Sequence, residues 1–244
     1  MSIKIENIVT PSGEQWEAAI RGLRNPMNSW EKTDSVNFSD PLTGERQFVL
    51  GKADLELMRK LARAGSDHRK YLRQLPVIMD VTAPLYWWKE ADQYKVGTVT
   101  DSCSTMHRIQ AKAFVRDDFS WEHLFNWMHE EDGDDTPYRT AEDRGPDGSV
   151  LERKKYPLDI LDETIWALNF YRSKYLETWD KRFWWQMIQM LPSSYNQKRT
   201  LSLNYEVLGN MRQARHAHKL DEWVRFCETI VREVPYFRDI FEIE

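Results

Sequence analysis

Residues 191–215 read LPSSYNQKRTLSLNYEVLGNMRQAR. Pro192 ends a helix that the apolar spacing predicts over 183–191, because proline cannot continue a helix. The apolar residues that follow predict another helix over 199–211, and the same periodicity predicts one more over 220–234. The chain after Pro157 is therefore expected to be helical almost throughout.

A basic cluster lies at the end of this stretch and just after it, and consists of Arg212, Arg215, His216, His218 and Lys219. A guanidinium group holds a phosphate through two parallel hydrogen bonds, which makes Arg215 the best single candidate for an anion contact. A solvated positive helix end explains the same charges equally well. The two histidines stand at alternate positions, about 200° apart on a helix, and would share a ligand face only in an extended loop. Without a carboxylate at a suitable spacing we expect no metal site there.

The N-terminal half mixes strand and helix patterns. Strands are predicted over 2–9 and over 76–88, with a bend or an edge at Pro84. Helices are predicted over 13–23, 52–64, 67–74 and 119–129. Residues 130–156 are acidic and then basic, and we expect them to form an inserted loop or a hairpin. The predicted class is α+β, one domain over residues 1–244, with an antiparallel sheet from the N-terminal half packed against a largely helical C-terminal half.

The composition narrows the classes of function. The net charge is −5, so the chain lacks the basic excess that a polymeric nucleic acid requires, and a small nucleotide is the more natural partner. Eleven tryptophans either fill a helix-rich core or surround a planar ligand. No dinucleotide-binding, P-loop, nucleophile-elbow or HExxH motif occurs in the sequence.

The two cysteines, Cys103 and Cys227, form neither a metal pattern nor a disulfide framework, which suggests a reducing cytoplasm. Cys103 lies four residues before His107, so the pair is either a nucleophile with its base or a small polar turn. No apolar run approaches eighteen residues, and the polar N-terminal stretch lacks the core of a signal peptide. We therefore expect neither export nor a membrane span.

The stretch from Leu191 to Arg215 resembles the C-terminal signature of the flavin-dependent thymidylate synthases (ThyX). That signature reads roughly Leu-Pro, a dozen residues, and then N-x-R-x-L-x-N-F-x-x-x-R, in a register that needs no gap here. The resemblance implies that Asn204 and Asn210 contact FAD and that Arg215 holds the nucleotide and acts in catalysis. Glu206 stands where the family has an arginine.

The N-terminal half resembles the family in layout. Val81-Thr-Ala-Pro84 is similar to the family strand that leads into an arginine-histidine-arginine motif, which falls here on Gln93-Tyr94-Lys95. Only Lys95 keeps its positive charge. The resemblance further implies that His68 and Lys95 contact the flavin and that Lys89 and Ser104 contact the substrate.

For function, the resemblance implies transfer of a one-carbon unit from methylenetetrahydrofolate to C5 of dUMP or a related pyrimidine nucleotide, with FAD as cofactor and NADPH as co-substrate. It also implies a homotetramer. Two alternatives remain: a flavin enzyme acting on another pyrimidine, and a non-catalytic nucleotide-binding or flavin-binding protein that retains the fold.

Overall fold

The structure is a computed structural model that describes residues 3–126, 139–144 and 150–243. The strands are β1 Lys4–Val9, β2 Val36–Ser39, β3 Arg46–Val49, β4 Pro76–Pro84, β5 Val99–Ser102, β6 Arg139–Arg144, β7 Val150–Lys155 and β8 Asn196–Asn204. The α-helices are α1 Gly13–Arg24, α2 Lys52–Arg63, α3 Leu85–Ala91, α4 Pro157–Thr178, α5 Lys181–Met190, α6 Tyr205–Arg215, α7 Asp221–Glu233 and α8 Phe237–Phe241.

The chain divides into two compact units. One comprises Pro84–Tyr86 and Cys103–Gln197, and we call it the helical-pair unit because it holds α4 and α5. The other comprises Ile3–Ala83, Trp87–Ser102 and Lys198–Glu244, and we call it the sheet unit. The expectation of a single domain over the whole chain stays a prediction.

The sheet unit is built on a four-stranded sheet in the order β1-β4-β8-β5. β1 pairs antiparallel with β4, with Ile5 opposite Val81, and β5 pairs antiparallel with β8, with Thr100 opposite Leu201. Alternate residues of β4 point to opposite faces: Val81 is fully buried, whereas Ile78 is 41% exposed. The sheet therefore has one face in the core.

Amphipathic helices supply the rest of this core. α1 begins at a capping box in which Ser12 and Gln15 exchange hydrogen bonds between side chain and backbone, which satisfies two of the free N–H groups at the helix start. α7 buries residues three and four positions apart, as a helix with one core face must. Its buried residues include Trp223, Phe226, Cys227 and Ile230.

A buried ion pair joins α1 to α2. Asp54 is fully buried and accepts hydrogen bonds from Arg24 Nε at 2.7 Å and from the Thr33 hydroxyl at 2.7 Å. The amides of Asp34 and Ser35 and the Ser35 hydroxyl also donate to it. Burial alone would raise the pKa of the Asp54 carboxyl, but the hydrogen bonds from Ser35, Thr33 and Arg24 outweigh burial and lower it.

The helical-pair unit has its own core, beneath the packed helices α4 and α5. Asn169 of α4 anchors the preceding loop, because its side chain both donates to and accepts from the backbone of Phe114 at 2.8 Å. The buried members of this core are Ile109, Phe114, Phe119, Leu158, Leu161, Leu168 and Met187.

The α+β class and the antiparallel pairing are confirmed. One feature of the sheet differs from expectation, because β8 comes from the C-terminal half. The predicted helix over 199–211 is therefore wrong in its first part: residues 199–204 belong to β8, and α6 begins at Tyr205. Leu201 and Leu203 are buried on either side of the less buried Ser202, a period of two that suits a strand.

Three other boundaries change. The predicted strand over 76–88 is right as far as Pro84. The helix α3 begins at the next residue, Leu85, and buries Trp87, Trp88 and Ala91. The predicted helix over 119–129 is wrong for 119–126, where Phe119 instead forms a bridge with Tyr195. Residues 127–129 lie outside the described residues. The predicted helix over 67–74 is reduced to a 3₁₀ turn, Lys70–Gln74.

Within the expected insertion, β6 and β7 pair antiparallel, with Arg139 opposite Lys155, in agreement with the hairpin alternative. Residues 130–138 and 145–149 lie outside the described residues. In the part of the chain that the structure covers, no helix is both long enough and apolar enough to cross a bilayer.

Candidate active site

A cavity of about 150 Å³ opens in the sheet unit beside α3 and β5. Large aromatic rings form much of its wall, since Trp87 packs against Trp88 with a ring-centroid distance of 4.8 Å and against Phe226 at 5.6 Å. Trp87 and Trp88 are buried core residues that also line this cavity, whereas the interpretation in which tryptophans surround a planar ligand stays a prediction. The lining residues are Trp87, Trp88, Ala91, Asp92, Tyr94, Lys95, Thr98, Thr100, Leu201, Met211 and Phe226.

Two polar atoms of this lining are buried without a hydrogen-bond partner among the residues that the structure describes. They are the indole Nε1 of Trp87, a donor, and the hydroxyl of Thr98, which both donates and accepts. A buried polar group without a partner costs about 1–3 kcal/mol, and such groups are uncommon in proteins. Both atoms belong to residues that line the cavity.

The cavity is the size of one six-membered ring. A cavity of about 150 Å³ with apolar walls holds benzene, and aromatic walls favour a flat ring over an aliphatic chain. The combination of aromatic walls with a buried N–H donor and a hydroxyl suits a heterocycle with carbonyl oxygens, such as a pyrimidine base. It does not enclose the three fused rings of a flavin.

Arg215 lies at the edge of this cavity and contacts Tyr94, one of the lining residues. Its Nε donates to the Tyr94 hydroxyl at 3.2 Å, and its Nη1 lies 2.8 Å from Glu90 Oε2 and 3.0 Å from His218 Nε2. The guanidinium carbon also lies 5.2 Å from the ring centroid of Trp223, a cation–π contact. Arg215 is therefore fixed and already paired with a carboxylate.

A second arginine stands beside the same cavity in the same way. Arg199 of β8 contacts Asp92 Oδ1 at 2.6 Å through its Nη1. Its guanidinium carbon lies 4.3 Å from the ring centroid of Trp88, which forms part of the cavity wall. Sequence reasoning missed both carboxylates, because nothing in their spacing shows that they meet arginines more than one hundred residues away.

Glu206, the residue that stands in place of a family arginine, lies on another face of α6. It accepts from Arg69 Nε at 3.1 Å and from Arg73 through Nε and Nη2. Asn210 joins this cluster, since its Oδ1 accepts from Arg69 Nη2 at 3.0 Å. The hydrogen bonds and charge of Arg73, followed by the hydrogen bond and charge of Arg69, hold the pKa of the Glu206 carboxyl below its ordinary value. The reversed charge is thus matched by two arginines.

Asn204 has a structural task at the start of α6. Its Oδ1 accepts from the Val207 amide at 3.1 Å and caps the helix. Its Nδ2 lies 3.5 Å from the Gly97 carbonyl oxygen, and Gly97 has a positive φ of 78°. A Cβ added at Gly97 would come within 2.8 Å of that same Nδ2, so only glycine permits this approach.

The other predicted site residues lie in different places. Lys95 lines the aromatic cavity, and Lys89 is exposed on α3. His68 lines a separate cavity of about 340 Å³, together with Leu23 and Tyr71. Ser104 belongs to the helical-pair unit, where its hydroxyl accepts from the His107 amide in a turn. The cofactor and substrate roles of these residues stay predictions.

The cluster around Glu206 suits part of an FAD cofactor. Arg69 and Arg73 share the single Glu206 carboxylate, so the cluster keeps a net positive charge, and Arg73 is half exposed. The side-chain oxygen of Asn210 accepts from Arg69, while its nitrogen makes no hydrogen bond to the described residues. Guanidinium and amide N–H groups donate to phosphate oxygens and to the carbonyl edge of a flavin ring, so the donor set fits this group. Asn204 has less to offer, because its amide oxygen already caps α6.

Comparison with known proteins gives one kind of match. No protein-family model matches the chain, and no curated protein sequence matches it. Among solved structures, thymidylate synthase X (ThyX) from Helicobacter pylori with FAD and dUMP is 16% identical, with a TM-score of 0.60 over 99% of this chain and 96% of that one. A second Helicobacter pylori ThyX structure with FAD and dUMP is 15% identical, with a TM-score of 0.60 over 99% and 97% of the two chains.

A third solved structure comes from a different enzyme. It is the UMP/dUMP methylase PolB from Streptomyces cacaoi bound with 5-Br dUMP, which is 13% identical, with a TM-score of 0.59 over 99% of this chain and 95% of that chain. The likeness extends over nearly the full length of each protein while the sequences have diverged widely. This chain therefore has the same fold as these ThyX and methylase structures, at 13–16% sequence identity.

Proposed function

We propose that this chain is a divergent flavin-dependent thymidylate synthase-like methyltransferase. It would bind FAD and transfer a one-carbon unit from methylenetetrahydrofolate to C5 of dUMP or a related pyrimidine, with NADPH as reductant. The observation that carries the proposal is the ring-sized aromatic cavity with two unsatisfied polar atoms, from Trp87 and Thr98, in a fold whose solved examples bind dUMP.

The chain's own residues would bind, orient and polarise the pyrimidine. Trp87 Nε1–H would donate to a ring carbonyl, while the Thr98 hydroxyl donates or accepts at a neighbouring ring position. Donors aimed at carbonyl oxygens stabilise the negative charge that develops as C5 becomes nucleophilic. A ring bound against the aromatic wall would displace water from the cavity, which would strengthen these contacts. The bound flavin would supply the hydride and carry the one-carbon unit, chemistry that belongs to the cofactor.

Arg215, the residue expected to hold the nucleotide and act in catalysis, would act from the edge of this cavity. It is oriented by Tyr94, Glu90 and His218 before any ligand arrives. A preoriented guanidinium costs no reorganisation at the moment of reaction, which is the condition for electrostatic catalysis. His68, Lys95, Asn204 and Asn210 remain the proposed flavin contacts, with Lys89 and Ser104 as the further substrate contacts.

A second candidate function is a non-catalytic nucleotide-binding or flavin-binding protein. The observation in its favour is that Arg215 is paired with Glu90 and that Asn204 caps a helix, so two residues expected to serve ligands serve the fold. Binding without turnover would then be expected.

The first experiment is flavin uptake. We expect the purified protein to carry flavin absorbance or to acquire it when FAD is added, and Arg73→Gln and Asn210→Ala to weaken uptake. A matched control is Glu56→Gln on the exposed face of α2. A protein that takes up no FAD at any concentration would refute the proposed enzyme.

Growth rescue separates the two candidates. Expression in a bacterium that requires thymidine should support growth without thymidine if the chain is a synthase, and Arg215→Ala should abolish the rescue. Flavin binding without rescue and without methylation of any pyrimidine tested would favour the non-catalytic protein. The homotetramer that we propose with this function is tested by light scattering on the FAD-loaded protein.

A further inference from the structure

Both arginines beside the aromatic cavity are paired with carboxylates that lie close together in sequence. Glu90 of α3 pairs with Arg215 at 2.8 Å, and Asp92, just after α3, pairs with Arg199 at 2.6 Å. The side chains of Arg215 and Arg199 are 19% and 13% exposed, and those of Glu90 and Asp92 are 31% and 47% exposed. Because each guanidinium lies 2.8 Å or less from a carboxylate oxygen, each pair presents little net charge to a ligand.

Glu90 is held where it is by more than Arg215. Its Oε2 also accepts from the indole Nε1 of Trp223 at 3.2 Å, and His218 Nε2 lies 3.6 Å away. Arg215 in turn has Nε engaged by Tyr94 and Nη1 engaged by Glu90 and His218. A phosphate that approached Arg215 would meet the Glu90 carboxylate and would have to displace a network of four side chains.

Few other cations line this cavity. Among the described residues that line the cavity, Lys95 is the one cation outside these pairs, and it is exposed on the segment after α3. A single exposed lysine in water attracts a phosphate weakly, because solvent screens its charge. Trp87 and Thr98, which line the cavity, contribute an N–H and a hydroxyl but no positive charge that would attract a phosphate.

We propose that this cavity selects an uncharged pyrimidine, a nucleoside or free base, over the corresponding 5′-phosphate. The Glu90 and Asp92 carboxylates set this preference by neutralising Arg215 and Arg199. The inference rests on the proposed function in one respect, namely that the ligand is a pyrimidine. It adds that this pyrimidine is uncharged, and it makes Glu90 a specificity-determining residue.

The test compares deoxyuridine with dUMP by titration calorimetry on the FAD-incubated full chain. We expect the unmodified protein to bind deoxyuridine at least as tightly as dUMP, at low and at high salt. Glu90→Gln leaves an acceptor for Trp223 but removes the charge, so dUMP should bind about tenfold tighter or more, while the affinity for deoxyuridine changes little. Glu56→Gln makes the same change in net charge on exposed α2 and should alter neither affinity.

The outcomes separate this inference from the proposed function. Tighter binding of dUMP than of deoxyuridine by the unmodified protein overturns the inference and leaves the proposed reaction intact. A preference for deoxyuridine with no methyl transfer keeps the inference and counts against the proposed reaction. Binding of neither compound overturns both. If Glu90→Gln does not fold, which its thermal midpoint would show, the comparison on the unmodified protein still decides.

Discussion

Replacement of Glu206 by glutamine removes the negative charge that joins Arg69 and Arg73. The Glu206 side chain is 9% exposed and accepts three guanidinium hydrogen bonds. Loss of a partner from a fully buried ion pair costs about 3–5 kcal/mol. Because the Arg73 side chain is 50% exposed and glutamine still accepts one hydrogen bond, we expect a smaller loss, about 2 kcal/mol. For a chain of this length that loss lowers the thermal midpoint by about 4–8 °C.

The assay is urea unfolding of the unmodified protein, Glu206→Gln and the exposed control Glu56→Gln, from neutral pH downward. The pKa of Glu206 is lower in the folded protein than its ordinary value of 4.5, so its contribution is fully present above that pH and is lost as the pH falls through the folded pKa. The difference between the unmodified protein and Glu206→Gln should therefore shrink in acid. The reasoning would be refuted if the free energies of unfolding of the unmodified protein and Glu206→Gln agreed within about 0.5 kcal/mol at neutral pH, because surface substitutions scatter by that much.

Three further predictions follow from buried groups. Asp54→Asn should lower the free energy of unfolding by about 3–5 kcal/mol, measured by urea unfolding, because the buried Arg24 loses its partner; a change below about 1 kcal/mol would contradict the network. Trp87→Phe should weaken binding of a pyrimidine about fivefold, with a nearly unchanged thermal midpoint, because Nε1 has no partner in the described part of the protein; an equal affinity would mean that the indole N–H does not meet the ligand. Cys103 is exposed, while burial raises the pKa of the Cys227 thiol to about 11. A thiol reagent at pH 8 should therefore modify Cys103 quickly and Cys227 only on unfolding.

Local patterns in the sequence were sufficient for the elements that carry strong periodicity. The helices at Gly13–Arg24, Lys52–Arg63, Lys181–Met190 and Asp221–Glu233 were all predicted within about two residues of their ends. Each has apolar residues three and four apart and a clear stop, so the helix that forms locally is the one that the core requires. The resemblance carried by residues 191–215 likewise led to the right fold.

Residues 199–204 show where local reasoning fails. Leucines two residues apart fit either a helix or a strand, and a segment of six residues is too short to separate the two periods. These residues form a strand because β5, about a hundred residues earlier in the sequence, pairs with β8. A strand is stabilised by its neighbours, so its sequence alone does not fix it.

The candidate site divides in the same way. The sequence by itself predicted that Asn210 lies in a helix with Arg215 shortly after it, and it shows a glutamate at position 206, where the resemblance to ThyX has an arginine. Only the tertiary structure decided which charges face one another: Glu90 meets Arg215, and Arg69 and Arg73 meet Glu206. The cavity between Trp87 and Thr98 is also a product of packing. Helical periodicity is encoded within a few residues, whereas ion pairs and cavities arise from segments far apart in the chain, whose meeting only the completed fold defines.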